Sequence, residues 1–304
     1  MRAVFCCLAG VFVLTSVGCG RERAVSPRST TAVILVDDHG DTVHLRAPAT
    51  RVISLIPSAT ETLIALGATD RIVGRTQYDV DSAVQARPTV GTGMTPNLET
   101  IISLHPDLVV VWASDKRGDV QSQLTRAGIP TLAVSLQDTT DAFRALTLLG
   151  RALDENVKAT TLVDSLRRTF ATTHASIATR KAPRVFYVVF NNPPMTAGPH
   201  TFIAQILALA GGENVFADAI TNWPTIPMEE LVRRDPDVIV LPVGEMPDSS
   251  VSHLRDMPGW RDLRAVRENQ IVRIDANLSS RPGPNMGRAV VTLRNLLHPA
   301  QGTR

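Results

Sequence analysis

The sequence predicts an α/β protein of two similar lobes with parallel-type sheets, joined by a single long rigid helix, with a ligand cleft between the lobes. From residue 32 onward, short apolar runs alternate with amphipathic stretches, which is the pattern of βα units. One helix–turn–strand phrase also occurs twice, as NLETIISLHPDLVVVW at 97–112 and PMEELVRRDPDVIVLP at 227–242. Parallel strands need crossover helices, so a repeated crossover unit indicates one related lobe in each half of the chain.

The first lobe is predicted over residues 33–150. AVILVDDHGDTVHLR reads as a hairpin, RVISLI and RIVGRT as buried strands, and SATETLIALG between them as a helix. In this helix Ser58 and Glu61 have the pattern of a capping box, and Gly67 is the expected C-terminal stop. The helix PNLETIISL, strand DLVVVW, helix VQSQLTRAG and strand IPTLAVS complete the lobe.

A long amphipathic segment precedes the second lobe. Residues 151–182 contain neither Gly nor Pro and keep apolar residues at helical spacing, so one bridging helix is predicted there. The second lobe, residues 183–304, contains the strands RVFYVVF, DVIVLP and QIVRID, the helices TFIAQILALAGG and MEELVRR, and a last helix from about 286 to 297. At 304 residues the chain is long enough for two compact domains, each with its own core.

The N-terminal residues 1–18 have the pattern of a signal peptide. Arg2 precedes an apolar run that is short for a membrane span, and Cys19 follows small residues. SVGC resembles a bacterial lipobox, although Ser16 occupies a place where Leu is typical. We therefore predict that Cys19 is a lipid anchor and that residues 19–32 form a flexible tether. The alternative is an ordinary secretory signal that is cut nearby.

Charge, cysteine content and motifs exclude several function classes. The net charge is +2 and basic residues are dispersed, unlike the footprint of a nucleic-acid-binding protein. A mature chain that starts at Cys19 would carry one Cys and no internal disulfide. The hydrolase, zinc-protease, Walker and dinucleotide-binding motifs are missing, so no enzyme is predicted. The seven His are scattered, which predicts no metal site.

Six phrases together resemble the periplasmic cobalamin-binding proteins, within the iron-siderophore/haem/cobalamin group of ABC-importer binding proteins. They are RVISLIPSATETLIALGATDRIVGRTQYD, NLETIISLHPDLVVVW, NNPPMTAGP, LAGGENVFAD, NWPTIP and SSRPGP, and the resemblance covers about residues 33–298. It implies an exported, monomeric binding protein on the periplasmic side that captures a corrinoid without a cofactor of its own. The implied partners are an ABC permease and its ATPase.

Five ligand-binding residues follow from the strand ends and the resemblance. Trp112 ends a strand, and Tyr78 follows another at a place where the resembled proteins have a ligand-facing Tyr. Those proteins stack a Trp from the place of Trp223 on the corrin. Met195 occupies a position that is often aromatic in the family. Arg281 precedes a rigid turn at the rim, where its guanidinium suits propionamide, phosphate or carboxylate groups.

Other ligands and roles stay open at this point. The Trp that the family has near Gly93 and Met94 is missing from this chain. The same fold could bind haem, with Tyr78 or His200 as axial donor, or a ferric siderophore. A sensor lipoprotein without a transport role is a further alternative. Trp260 follows a Pro-Gly turn and is expected in the core.

The repeat aligns Glu99 with Glu229, each in the first turn of its helix. The helix dipole favours an acidic residue there by about 0.3–1 kcal/mol. Helix N-termini also lie on the same side as the carboxyl ends of the strands, so both Glu should reach the mouth of the cleft. The resemblance implies that they are permease-docking residues, because the resembled proteins present one exposed Glu per lobe to Arg residues on two permease copies.

Overall fold

The computed structural model describes residues 31–113, 119–244 and 251–299. The predicted signal peptide, the anchor Cys19 and nearly all of the tether lie outside these ranges. The α/β class and the parallel sheets are confirmed: two four-stranded sheets have parallel pairings throughout. Within the described part of the chain, no helix is both long and apolar enough to span a membrane.

The first lobe consists of a hairpin and a parallel sheet of order β4-β3-β5-β6 with helices around it. Gly67 has a φ of +77° just after the first helix, as the predicted stop requires. The elements are β1 (Val33–Val36), β2 (Thr42–Leu45), β3 (Val52–Ser54), α1 (Pro57–Ala65), β4 (Ile72–Gly74), α2 (Leu98–Ser103), β5 (Leu108–Trp112), α3 (Asp119–Arg126), β6 (Thr131–Val134) and α4 (Thr139–Ala152).

The second lobe contains a parallel sheet of order β10-β7-β11-β12 and a short antiparallel hairpin, β8–β9. A 20-residue helix, α5 (Asn156–Ala175), leads into it. Its elements are β7 (Arg184–Tyr187), β8 (Phe190–Asn191), β9 (Pro194–Met195), α6 (Phe202–Leu209), β10 (Glu213–Asn214), α7 (Met228–Arg234), β11 (Val238–Val243), α8 (Val251–Asp256), α9 (Arg264–Arg267), β12 (Ile271–Asp275), α10 (Ala276–Ser279) and α11 (Met286–Leu297).

The connecting helix is shorter than the predicted 151–182. Asp154 has a φ of 58° between α4 and α5, a conformation that ends a helix and that Asp tolerates. A distant guanidinium supports this break, because Arg71 Nη1 donates to the Leu153 carbonyl at 2.7 Å. The sequence could not indicate the break, since neither Gly nor Pro marks it and the partner lies 82 residues away.

The predicted capping box at the start of α1 is wrong. The N-cap residue is Ile56, with Pro57 following, and no side chain caps this end. Ser58 lies inside the helix and is buried. The Glu61 carboxylate instead accepts hydrogen bonds from Arg281 and Asn285 of the second lobe. Tertiary partners thus outcompete the local backbone for this side chain.

The repeated phrase folds the same way in both lobes. The Asp107 N–H donates to the Arg51 carbonyl at 2.9 Å, and its Oδ1 accepts from the Arg51 N–H at 3.0 Å. In the second lobe the Asp237 N–H donates to the Arg184 carbonyl at 2.8 Å, and its Oδ2 accepts from the Arg184 N–H at 2.9 Å. Each Asp therefore registers the start of one strand against its parallel neighbour.

The lobes share a core instead of having two separate ones. Alternate residues of the central strands face opposite sides of each sheet, as strand geometry requires. Val110 and Val240 face one continuous apolar cluster that also contains Phe170 of α5. Val109 and Ile239 face two outer clusters, one for each lobe. Because the central cluster continues from lobe to lobe through α5, moving the lobes apart would expose core surface.

Candidate functional site

The two lobes meet near the carboxyl ends of their sheets. The loop after β6 contacts the start of α6, where the Phe202 N–H donates to the Gln137 carbonyl at 2.8 Å. In the same place Gln205 Oε1 accepts from the Thr139 N–H at 2.8 Å. Ligands of open α/β sheets bind beyond the carboxyl ends of the strands. The region beyond the carboxyl ends of the two sheets, here named the cleft, is therefore the candidate site.

Tyr78 and Trp112 lie on the first-lobe side of the cleft. Tyr78 follows β4 and is 53% exposed, and Trp112 ends β5 and is 39% exposed. A buried carboxylate fixes the loop before Tyr78, since Asp79 Oδ2 accepts from the Thr76 N–H and hydroxyl at 2.6 and 2.9 Å. Large apolar rings are thus held towards solvent on an ordered backbone.

A glycine packs the next loop tightly beside Trp112. A Cβ on Gly93 would lie 2.2 Å from the Leu55 carbonyl oxygen and 3.6 Å from Trp112 Nε1. Met94 follows and is 84% exposed. Near the position where the resembled family has a Trp, this chain therefore has the flexible thioether of Met94, which can adapt its shape to an apolar surface.

The structure brings Met195 and Trp223 onto adjoining segments of the second lobe. Met195 pairs with Thr225 in an isolated antiparallel bridge. Next to it, the Gly198 N–H donates to the Asn222 carbonyl at 2.8 Å. These backbone contacts pin the loop of Trp223, whose side chain is about half exposed. Backbone contacts within the second lobe therefore hold this loop in place.

Sequence reasoning missed Phe190, which pairs with Met195 across the β8–β9 hairpin. Its ring is 44% exposed, and it adds an aromatic side chain beside the thioether. The sequence did carry a signal, because Phe190 is the last residue of an apolar run that an Asn-Asn-Pro-Pro turn ends. Such a turn reverses the chain and leaves that ring at the rim of the sheet.

Arg281 is buried, not exposed at the rim as the sequence predicts. Its guanidinium pairs with Glu61 (Nη1 to Oε1, 3.2 Å) and donates from Nη2 to the Tyr78 carbonyl at 3.2 Å. Asn285 donates to the other Glu61 oxygen at 2.9 Å. Burial raises the pKa of Glu61, although Asn285 and Arg281 oppose this shift. Arg281, expected at the rim, is thus a buried link between the lobes.

The structure also shows where Trp260 and His200 lie. Trp260 is fully buried and its Nε1 donates to the Asn191 carbonyl at 3.1 Å, so its prediction as a core residue is confirmed. His200 is exposed just before Thr201, which caps α6 through its side chain. Its imidazole is therefore accessible to a ligand from the loop that precedes α6.

The sequence predicts no metal site, but two Asp and one His of the described residues lie close enough together to be potential metal ligands. Ligand-type atoms of Asp37, His39 and Asp41 lie within 4.8 Å of one another at the β1–β2 turn. The Asp37 carboxylate accepts from the backbone N–H groups of His39, Asp41 and Ala133. These bonds define a tight turn, and a neighbouring hollow of about 640 Å³ includes none of the cleft residues above.

Glu99 and Glu229 occupy equivalent exposed positions in the first turns of α2 and α7. Neither carboxylate pairs with a Lys or Arg among the residues that the structure covers, whereas the adjacent Glu230 pairs with two arginines of its own helix. Three positions after each Glu stands an exposed aliphatic residue, Ile102 (44%) or Val232 (42%). The repeat thus presents the same charged and apolar pair twice.

Comparisons with known proteins agree with this arrangement. The family model described as periplasmic binding protein matches residues 52–278. A vitamin B12-binding protein of Salmonella paratyphi A is 34% identical over 197 residues, which cover 64% of this chain and 72% of that protein. An uncharacterized ABC transporter substrate-binding lipoprotein of Bacillus subtilis is 29% identical over 296 residues, 93% of this chain and 92% of the relative.

Solved structures show the same fold. A periplasmic haem-binding protein from Roseiflexus sp. RS-1 in apo form has a TM-score of 0.75 at 23% identity, over 82% of this chain and 98% of that one. The periplasmic vitamin B12-binding protein of Vibrio cholerae has a TM-score of 0.71 at 24% identity, over 84% and 99%. The family match covers most of the chain, and these relatives are binding proteins, not enzymes. The chain therefore belongs to the periplasmic binding protein family, with the extracytoplasmic location that this family has.

Proposed function

We propose that this protein captures a corrinoid in the cleft and delivers it to an ABC permease and its ATPase. The observation that carries the proposal is a set of exposed or half-buried apolar side chains beyond the carboxyl ends of the sheets in both lobes. Tyr78 and Trp112 belong to one side, and Phe190, Met195 and Trp223 to the other. A flat macrocycle with polar substituents fits between such surfaces, because aromatic rings cover its faces while the phenol can donate a hydrogen bond.

The names of relatives support a corrinoid as ligand. The Salmonella relative is named vitamin B12-binding protein, and a Halobacterium salinarum protein that is 29% identical over 288 residues is named cobalamin-binding protein. A second candidate is haem, which the Roseiflexus protein of the same fold is named for. Accessible Tyr78 and His200 side chains favour this candidate, since either could supply an axial ligand to iron. A ferric siderophore is the remaining alternative ligand for the same cleft.

A calorimetric titration tests the ligand directly. The mature domain is titrated separately with cyanocobalamin, haemin and a ferric siderophore. We expect one-site binding of cyanocobalamin without chemical change of the corrinoid, because no catalytic motif is present. Binding of haemin together with silence towards corrinoids would replace the first candidate by the second. Silence towards all three would favour a sensor role and contradict ligand capture of this kind.

The lipid anchor is part of the proposal. Cleavage before Cys19 and acylation of its thiol would tether the monomeric domain at the periplasmic side of a membrane, and the Bacillus relative is named as a lipoprotein. Labelling with a fatty-acid analogue should mark the wild-type protein and leave Cys19→Ser unmarked. Equal labelling of both would show that the anchor is elsewhere.

Docking on the permease is assigned to Glu99 and Glu229. Each lies on an exposed first helical turn with an aliphatic side chain three residues later, Ile102 in one lobe and Val232 in the other. A partner with two-fold symmetry would meet the same pair twice, and its basic groups would steer the encounter.

A further inference from the structure

A buried ion pair crosses between the lobes beside the backbone of Tyr78. Arg281, in the segment before α11, contacts Glu61 of α1 at 3.2 Å, and the two side chains are only 10% and 14% exposed. Asn285 donates to the second Glu61 oxygen at 2.9 Å. The backbone packs closely here as well, since a Cβ on Gly283 would lie 3.2 Å from the Ser58 carbonyl oxygen.

The same guanidinium holds the backbone of a ligand-facing residue. Arg281 Nη2 donates to the Tyr78 carbonyl at 3.2 Å, while the Tyr78 ring is 53% exposed. One planar side chain thus contacts the opposite lobe at two points, a carboxylate and a carbonyl. Arginine can do this because its donors form a rigid fork, whereas the ammonium of lysine is a point charge.

Stability alone does not account for this ion pair. Burial raises the pKa of Glu61, which means that the site disfavours its ionised form despite Arg281 and Asn285. Replacing buried ion pairs by apolar residues is often neutral or stabilising, so such a pair is weak evidence for a stabilising role. Because Arg281 also donates to the Tyr78 carbonyl, a role in holding the Tyr78 backbone is the better account of this pair.

We propose that Arg281 is a positioning residue: anchored on Glu61, it fixes the Tyr78 backbone and thereby sets the Tyr78 ring against the ligand. The proposal rests on the cleft as the ligand site, and it replaces direct contact between Arg281 and the ligand. Arg281 should fix the Tyr78 backbone in the ligand-free protein as well. Its effect on Tyr78 and its effect on ligand affinity can therefore be tested separately.

The first test needs no ligand and uses the small number of tyrosines. The chain has two, exposed Tyr78 and buried Tyr187, so protein labelled with 3-fluorotyrosine gives two ¹⁹F resonances. Arg281→Lys should shift or broaden the Tyr78 resonance and leave that of Tyr187 in place. An unchanged Tyr78 resonance in folded Arg281→Lys would overturn the proposal, whatever the ligand is.

The control is a second buried ion pair of the same geometry. Arg71 Nη2 contacts Glu155 Oε1 at 3.1 Å, with 10% and 19% of the side chains exposed, and it connects the first lobe to α5 instead of the cleft. Arg71→Lys should leave the Tyr78 resonance unchanged even where it lowers the melting temperature as much as Arg281→Lys. Equal perturbation by both variants would show a general loss of packing.

The second test is a double-mutant cycle on affinity, with cyanocobalamin and haemin as probes. Arg281→Lys should weaken binding at least about five-fold, because a charge-assisted hydrogen bond is lost. In a Tyr78→Ala background the same change should matter less than about two-fold, since the ring it positions is gone. The same loss in both backgrounds would mean that Arg281 acts on the ligand itself. If neither probe binds, the proposed ligands are wrong and the resonance test still decides the role of Arg281.

Discussion

The two lobes are alike where they support the cleft and different where they line it. Just before the central strands β5 and β11, His105 and Asp235 both have positive φ, 45° and 41°. Their carbonyls accept from equivalent arginines, Arg51 at 2.9 Å and Arg184 at 3.0 Å. The loops beyond the carboxyl ends differ in length, composition and fixation. The duplicated parts therefore build the frame, and we expect the divergent loops to determine what the cleft binds.

The lining loops also differ in how they are fixed. In the first lobe Trp112 belongs to a strand, so the sheet itself holds it. In the second lobe Trp223 lies in a loop that hydrogen bonds to residues 194–198 hold in place. A change under the loop of Trp223 should therefore move its ring, whereas a change beside Trp112 should not. The effects of substitutions on ligand affinity should follow this difference.

Gly198→Ala should have the largest effect. A Cβ there would lie 2.1 Å from the Thr221 carbonyl oxygen, so the loop must move and take Trp223 with it. We expect affinity to fall more than about thirty-fold, roughly 2 kcal/mol, in calorimetric titration. Gly93→Ala is the matched change in the first lobe, and its effect should be smaller because Trp112 stays on its strand. A larger loss in Gly93→Ala would reverse the comparison.

Trp223→Ala should weaken binding more than about ten-fold, since stacking area is lost. Trp223→Phe should recover part of the affinity, because a ring remains in the same ordered loop. Circular dichroism should show a native fold for both, given that the side chain is half exposed. Wild-type affinity in a folded Trp223→Ala variant would show that this ring does not contact the ligand.

Asp107→Asn and Asp237→Asn should leave affinity within about two-fold and lower stability instead, by about 1 kcal/mol each at these partly exposed sites. Burial opposes ionisation of Asp237, but the Arg184 N–H and Arg264 outweigh it and lower its pKa. Its contribution is therefore present above the ordinary Asp pKa of about 3.9 and is lost as pH falls below it. Urea unfolding at pH 7 and at lower pH should show a weaker acid dependence for Asp237→Asn. The same acid dependence as the wild type would contradict this role.

The double variant Glu99→Lys with Glu229→Lys should not change ligand affinity at all. Both side chains are exposed, and neither lies among the lining aromatics. Uptake, or stimulation of the partner ATPase in liposomes, should fall at least about ten-fold, because the proposed permease contact would face a reversed charge.

A matched control for the docking test reverses acids at the opposite edge. Asp70 and Glu213 are exposed near the starts of β4 and β10, one in each lobe. Asp70→Lys with Glu213→Lys makes the same change in net charge and should leave transport near the wild-type rate. Equal loss in both double variants would show that overall charge, and not the pair Glu99 and Glu229, governs docking.

By itself the sequence determined the frame of this protein. Apolar periodicity located the parallel strands and most crossover helices, because burial on both faces of a sheet imposes it locally. The repeat located two lobes, and the Asp of each copy registers the same strand pair. Strand ends also placed Tyr78 and Trp112 at an exposed edge, since the carboxyl edge follows from strand direction.

Only the tertiary structure decided the features that depend on distant partners. Arg71 fixes the break between α4 and α5 through a carbonyl 82 residues away. Glu61 does not cap its helix but pairs with Arg281, 220 residues away. This contact buries Arg281, which the sequence predicts at the rim. Hydrogen bonds and buried charges are satisfied by whichever group the folded chain brings near, and no local pattern records that choice.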